Sequence, residues 1–250
     1  MAAAHPVGTF CFAELHTPDL PATAPFYHSR LGWGIREVSA DYSIFELDGR
    51  PVTGLRRSAE HRWIGYVRVS DVDVAETRAT ELGARVPASP ADTTGIARTC
   101  LLADREGAIL GVWSPPGLEG TAVGRRSRQP LVDGARHGRR RGCAALLLVA
   151  LWLGLRAYDE VRERTHRLYT LFRVGERSAG GAFQFEPEWG LEPQWQPYFE
   201  VADYTSAVVR ACALGGSEGF ARDVPNVGRI GVVIDPRGAT FWIAHPRATG

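Results

Sequence analysis

Val69-Ser70-Asp71, followed by Leu82-Gly83, Arg98, Asp104-Arg105-Glu106-Gly107-Ala108 and Pro115, decides how this chain is read. The constellation returns as Val201-Ala202-Asp203, Leu214-Gly215, Arg229, Asp235-Pro236-Arg237-Gly238-Ala239 and Pro246. The offset is 132 residues from Val69 to Val201 and 131 from Arg98 to Arg229 onward, a single gap. Trp63 and Trp195 keep the offset of 132, and Tyr42-Ser43-Ile44-Phe45 is echoed by Tyr169-Thr170-Leu171-Phe172. So many matches at one spacing identify a duplication. The halves meet in the Pro- and Gly-bearing stretch Gly117–Gly124, which predicts one domain over 1–118 and a second over 119–250.

Each half divides again. Phe10–His16 reads as a strand, Asp19 as the cap of a helix over about Leu20–Leu31, and Gly32 as its stop. Strand-like runs follow at Tyr42–Leu47 and Pro51–Leu55. The pattern then restarts with a strand at Trp63–Val69, a helix over Asp71–Leu82 stopped by Gly83, and strands near Ala97–Leu102 and Ala108–Trp113. Asp104–Gly107 and Asp235–Gly238 have the residues of hairpin turns. The expected unit is β-α-β-β-β, repeated four times in an α+β chain.

Bulk properties narrow the function classes. The 250 residues are 44% hydrophobic and 23% charged, which excludes a disordered or collagen-like chain. The net charge of +1 is an average of unlike parts. Arg125–Arg141 holds seven Arg and one Asp, a block of +6, so the rest carries −5. All 29 basic residues are Arg, which points to a GC-rich gene. Cys11, Cys100, Cys143 and Cys212 lack zinc-type spacing and are expected to be reduced thiols. The longest apolar run, Ala144–Leu155, is well short of the roughly 20 residues a membrane helix needs. A soluble, cytoplasmic protein with no membrane partner is expected.

The repeated unit, with Phe26-Tyr27, Leu31-Gly32-Trp33 and the Asp-x-x-Gly turns, resembles the vicinal oxygen chelate superfamily. That superfamily includes glyoxalase I, extradiol dioxygenases and the bleomycin- and fosfomycin-resistance proteins. Gly8-Thr9-Phe10-Cys11-Phe12-Ala13-Glu14-Leu15 is similar to the Gly-Thr-x-x-Trp-x-Glu-Leu opening of actinobacterial two-domain glyoxalase-like proteins, with Phe12 for the Trp. The resemblance spans about 10–115 and 169–246 and implies four βαβββ modules paired into two glyoxalase-like domains. It does not fix the chemistry, because the fold hosts lyases, oxygenases, transferases and binders.

One stretch breaks the duplication. A Glu-Leu strand and a Phe-Tyr helix are due at about 128–155, but an Arg-rich run and Leu146–Leu153 stand there. Read at face value, that is a basic arm for nucleic acid or membrane. A different reading fits better. Back-translated and read from the second base of each codon, the stretch from Leu131 can spell W-W-T-E-L-G-T-A-D-V-E-A-A-R-L-F-Y-S-S-L-F-G-W-G. This aligns without a gap on Cys11–Gly34. Residues 124–168 therefore read as a frameshifted segment, and the basic block as no nucleic-acid site. The third module is expected to be disrupted, without its first strand.

The resemblance also implies where a metal would be held. The first ligand position falls on Phe12, the second on Ile64 and Gln196, and the last-strand position on Gly111 and Trp242. Only Gln196 can coordinate, whereas a divalent ion needs three or four N, O or S donors. No metal and no cofactor are expected. The seven His form no His-x-x-x-His pair and read as surface or turn residues. Neither a Gly-x-Gly-x-x-Gly nor a Gly-x-Ser-x-Gly motif is present.

Strand alternation puts Phe12 with Glu14 on one sheet face, Ile64 with Tyr66, and Gly111 with Trp113. Gln196 pairs with Tyr198, and Thr240 with Trp242. Phe12, Tyr66, Trp113, Gln196, Tyr198 and Trp242 are thus the candidate ligand-binding residues, equally readable as ordinary core. Glu14 is the candidate catalytic acid/base, its pKa raised beside Phe12 and Tyr66, or else an ion-pair partner of an Arg such as Arg68. The expected function is metal-free binding of a small aromatic or apolar molecule, a metabolite or antibiotic. It would serve aromatic polyketide biosynthesis or resistance beside other pathway enzymes. The alternatives are a lyase, oxygenase or hydroxylase-type enzyme using Glu14, and a degenerate protein of little activity.

Overall fold

A computed structural model describes residues 5–93, 95–104, 107–115, 134–137, 156–163, 166–174, 177–184, 193–224 and 228–246. Side-chain detail within 134–184 lies outside it. The chain is built of mixed sheets with few helices. It divides into two compact units, each assembled from separate segments. The first unit takes Met1–Cys11, Ile64–Gly120 and Val132–Trp195; the second takes Phe12–Trp63, Thr121–Leu131 and Gln196–Gly250.

In the second unit β1 (Phe10–Thr17, entering at Phe12) is followed by α1 (Leu20–Leu31) and by β2 (Gly34–Ser39), β3 (Tyr42–Leu47) and β4 (Arg50–Arg57). The strand order is β2-β3-β4-β1, with β1 parallel to β4. In the first unit β5 (Arg62–Arg68), α2 (Val72–Glu81), β6 (Arg85–Thr93), β7 (Ala97–Ala103) and β8 (Ile109–Ser114) give β5-β8-β7-β6, with β5 parallel to β8. The last strand always returns beside the first.

The same order recurs twice more. In β9 (Gly134–His137), β10 (Arg156–Glu163), β11 (His166–Val174) and β12 (Arg177–Gln184) it is β10-β11-β12-β9. In β13 (Tyr198–Glu200), α3 (Tyr204–Ala213), β14 (Ser217–Val224), β15 (Gly228–Ile234) and β16 (Thr240–Pro246) it is β13-β16-β15-β14. The expectation that the first strand of the third set is missing is corrected here. Gly134–His137 runs parallel to β12, with Gly134 opposite Gly181. A ladder needs only extended backbone with its N–H and C=O groups, which an Arg-bearing segment supplies as well as an apolar one. The rest of 124–168 that lies between these strands, including the expected helix of that set, falls outside the described residues.

Each described helix starts on an aspartate. Asp19 accepts from Ala22 N–H at 3.0 Å, Asp71 from Asp73 and Val74, and Asp203 from Ser206. Each side chain thereby satisfies amides that have no partner inside the helix. Gly32 ends α1 at φ 68, where its N–H reaches the His28 carbonyl. α2 buries Val72, Ala75 and Ala79, and α3 buries Tyr204, Ala207 and Ala211. These positions at i, i+3 and i+7 form one stripe, and the alanines let each helix lie close to its sheet.

The two cores differ in composition. In the first unit Val67, Val69, Leu102, Leu110 and Val112 pack with the α2 stripe and Trp195. The second unit's core is aromatic: Phe26, Tyr27, Trp33, Phe45, Trp63, Phe199 and Phe241. Burying a residue of this size contributes roughly 1.5–3 kcal/mol before entropy is set against it. Among the described residues no helix is long and apolar enough to cross a membrane.

Candidate functional site

The sequence-predicted residues gather in three groups. The first surrounds Glu14, on β1 of the second unit. Register places Glu14 opposite Gly54 and His16 opposite Arg56 on β4, while Tyr42 on β3 also faces Arg56. Glu14 is 0% exposed. Its Oε1 accepts from the Tyr42 hydroxyl at 2.7 Å, and Arg56 Nε donates to Oε2 at 2.8 Å. Arg56 Nη2 adds a second bond to Oε1 at 3.1 Å, and His16 Nε2 lies 3.4 Å from Oε2. The guanidinium also lies over the Tyr42 ring at 4.7 Å.

Gly54 makes the cluster possible. A Cβ there would come 2.7 Å from the Tyr42 hydroxyl, 2.9 Å from Glu14 Cγ and 3.2 Å from Phe12 Cε1. The bare backbone lets three side chains fold over the strand. Phe12, itself buried, completes the group.

This geometry corrects the expected state of Glu14. Burial does push its pKa upward, but the charge of Arg56 and the hydrogen bonds from His16 and Arg56 outweigh it. The carboxyl is held well below the usual range. An ion pair is made with Arg56, so the alternative of an arginine partner is met within the unit. A general base works best when its pKa lies near the working pH, and a carboxylate this strongly stabilised is a weak one.

The second group is Tyr66, Trp113 and Gly111 in the first unit. Tyr66 faces Gly111 across the parallel β5–β8 pair. Its ring lies over the glycine so closely that a Cβ at Gly111 would overlap it, with Tyr66 Cγ at 2.7 Å. Trp113 meets the same ring edge-on at 5.6 Å. The third group is Gln196, Tyr198, Thr240 and Trp242. Tyr198 stacks on Trp242 at 5.0 Å. Gln196 is buried, accepts from Trp242 Nε1 at 2.8 Å, and donates to the Thr240 carbonyl at 3.1 Å and to its hydroxyl.

Sequence reasoning missed His16, Tyr42, Arg56 and Gly54, which only strand register brings to Glu14. It also missed a polar node inside the second unit's core. Asp235, in the turn between β15 and β16, accepts from the Tyr27 hydroxyl at 2.8 Å and pairs with His61 Nε2 at 2.8 Å. His61 Nδ1 lies 3.0 Å from the Thr17 hydroxyl, and Trp63 Nε1 donates to Tyr27 at 3.3 Å. Burial and the neighbouring carboxylate push the Tyr27 hydroxyl well above its ordinary value, so it stays a donor. Burial works against ionised Asp235 too, but the His61 and Tyr27 contacts hold its pKa low. His16 and His61 are thus not the surface histidines expected of them. His16 is buried and His61 half-buried, each beside a carboxylate. Burial pushes the Cys100 thiol up to about 11, which leaves it unreactive.

A β-α-β-β-β arrangement of this order, with its site residues on sheet strands, is that of the vicinal oxygen chelate fold. Residues 10–112 match the family described as a glyoxalase-like domain. The chain is 28% identical over 268 residues to the anthracycline biosynthesis protein DnrV of Streptomyces peucetius, covering 96% of this chain and 94% of the relative. It is 26% identical to the putative glyoxylase CFP32 of Mycobacterium tuberculosis, covering 96% and 95%. Among solved structures, the Mn(II)-bound glyoxalase of Novosphingobium aromaticivorans superposes with a TM-score of 0.68 at 15% identity, over 96% of this chain and 82% of that one. The homoprotocatechuate 2,3-dioxygenase of Brevibacterium fuscum gives 0.68 at 18% identity, over 100% and 84%. These likenesses establish the fold.

The Novosphingobium glyoxalase is Mn(II)-bound, and the described residues at the corresponding positions do not fit a metal. Phe12, Ile64 and Gly111 offer no donor, and the space above Gly111 is filled by the Tyr66 ring. Gln196 spends both ends of its amide on Trp242 and Thr240. No group of three or more His, Cys, Asp or Glu suited to a metal occurs among the described residues.

Proposed function

We propose that this protein binds a small, flat aromatic molecule without a metal, as an accessory or resistance protein of the glyoxalase and bleomycin-resistance type. One observation carries the reading: the last-strand ligand positions are given over to aromatic rings, Tyr66 across Gly111 and Trp242 against Tyr198. Faces built this way suit π-stacking and apolar contact rather than coordination. Phe12, Tyr66, Trp113, Gln196, Tyr198 and Trp242 are the ligand-facing residues of this proposal. The kinship with DnrV supports an oxygenated polyketide as ligand and a place beside other biosynthetic enzymes. The proposed organisation is two glyoxalase-like halves of paired modules that meet near residue 118 along the sequence, each half contributing to both compact units.

The binder is favoured over an enzyme working through Glu14 because that carboxylate is neutralised by Arg56 and held ionised. The test is elemental analysis of the purified protein, followed by titration of an anthracycline against Trp fluorescence. Saturable quenching with no bound metal and no change in the anthracycline supports the proposal. Stoichiometric metal, or turnover that Glu14→Gln abolishes while quenching persists, overturns it.

A further inference from the structure

Trp63 and Trp195 are one residue of a duplicated pattern, yet their buried indoles meet different surroundings. Trp63 Nε1 donates to the Tyr27 hydroxyl, which in turn donates to Asp235 Oδ2. Trp195 is 4% exposed and packs against Phe10 at 5.6 Å. Its Nε1 has no acceptor among the described residues. Burying a donor removes its hydrogen bond to water, so a lone buried N–H is a standing cost that folded chains avoid.

The surroundings are otherwise alike. Asp104 and Asp235 are both buried in the same turn. Asp104 Oδ1 accepts from Ala108 N–H at 3.0 Å, and Asp235 Oδ1 accepts from Ala239 N–H at 2.9 Å. The Trp and the Asp of the node were therefore both duplicated. What the second copy lacks is a residue corresponding to Tyr27. In the gap-free alignment of the shifted reading on Cys11–Gly34, Tyr27 falls at Leu147, outside the described residues.

We infer that Trp195 has lost a tyrosine hydroxyl as its acceptor, and that the gene still spells this tyrosine one base out of frame at Leu147. The genetic code makes the claim sharp. Every leucine codon has T in second place, and Leu148 must begin with C or T. The shifted triplet is therefore T, then the last base of codon 147, then C or T. It encodes Tyr only if that last base is A; the other three bases give Phe, Ser or Cys. A chain whose 29 basic residues are all Arg comes from a gene in which leucine codons ending in A are scarce, so chance does not supply one readily. The same step explains the +6 block as a by-product of frame rather than as a binding surface.

Two measurements test this. Sequencing codon 147 is expected to show A in third place, and any other base overturns the inference. In urea denaturation of the chain as it exists, Trp63→Phe is expected to lower the midpoint, because it breaks the bond to Tyr27. Trp195→Phe is expected to leave it unchanged or raise it. Equal losses for the two variants overturn the inference, since Trp195 would then have an acceptor of its own. Neither outcome bears on ligand binding, so the proposed function stands or falls separately.

Discussion

The two units solve burial in opposite ways. The second unit places charge and hydroxyl groups inside an aromatic core: Glu14 with Arg56 and Tyr42, Asp235 with His61 and Tyr27. The described core of the first unit is mainly aliphatic around Trp195, and its buried Asp104 is met by the Ala108 amide. Its best-defined ion pairs, Arg98 with Asp73 and Asp92, lie at the surface. Buried charges are tolerated only when each is answered by a partner of good geometry. The second unit thus depends on a few exact pairings, whereas the first depends more on apolar volume and carries a donor, Trp195 Nε1, that is unanswered among the described residues.

The largest effect should come from breaking a buried pair. Arg56→Ala removes the two guanidinium bonds to the buried Glu14 carboxylate and is expected to cost about 3 kcal/mol in urea denaturation. Arg98→Ala, in the exposed clamp of the first unit, should cost far less. Similar losses for the two would erase the contrast between the units. Adding Glu14→Gln to Arg56→Ala should return part of the stability, because no charge is then left buried.

A smaller effect is expected where the first unit is packed by shape. Gly111→Ala forces the Tyr66 ring off the strand and should cost roughly 1–3 kcal/mol, read as a lower thermal midpoint. A neutral outcome would mean that the ring is not seated across Gly111. Acid should act mainly on the second unit. Glu14 has a folded-state pKa held below its ordinary 4.5, so its contribution is full above that value and drains away as pH falls below it. Asp235 acts in the same direction. Urea midpoints from pH 7 to 3 should therefore fall, and Glu14→Gln should flatten the fall. An unchanged slope in Glu14→Gln would remove Glu14 as a cause.

Legibility followed side-chain pattern. The helix caps Asp19, Asp71 and Asp203 and the stop at Gly32 bond within a few residues of themselves, so their roles show in the local sequence. Strands β1, β3, β5 and β8 carry apolar runs and were equally plain. β2 and β6 were not. Gly34–Ser39 is almost wholly exposed, and Arg85–Thr93 contains two prolines and few buried residues. Both are edge strands held by backbone pairing on one side, which leaves no hydrophobic alternation to read.

By itself, the sequence determined the duplication, the β-α-β-β-β unit and the poor donor set at the metal positions. Each depends on residue identity at a fixed spacing, which folding does not alter. The tertiary structure alone decided that Glu14 meets Arg56, that its pKa is lowered rather than raised, and that His61 pairs with Asp235. Those outcomes join residues 42 and 174 positions apart, through parallel strand register in one case and core packing in the other. Electrostatics at such a distance along the chain is set by which side chains the fold brings within a few ångströms, and no local pattern encodes that.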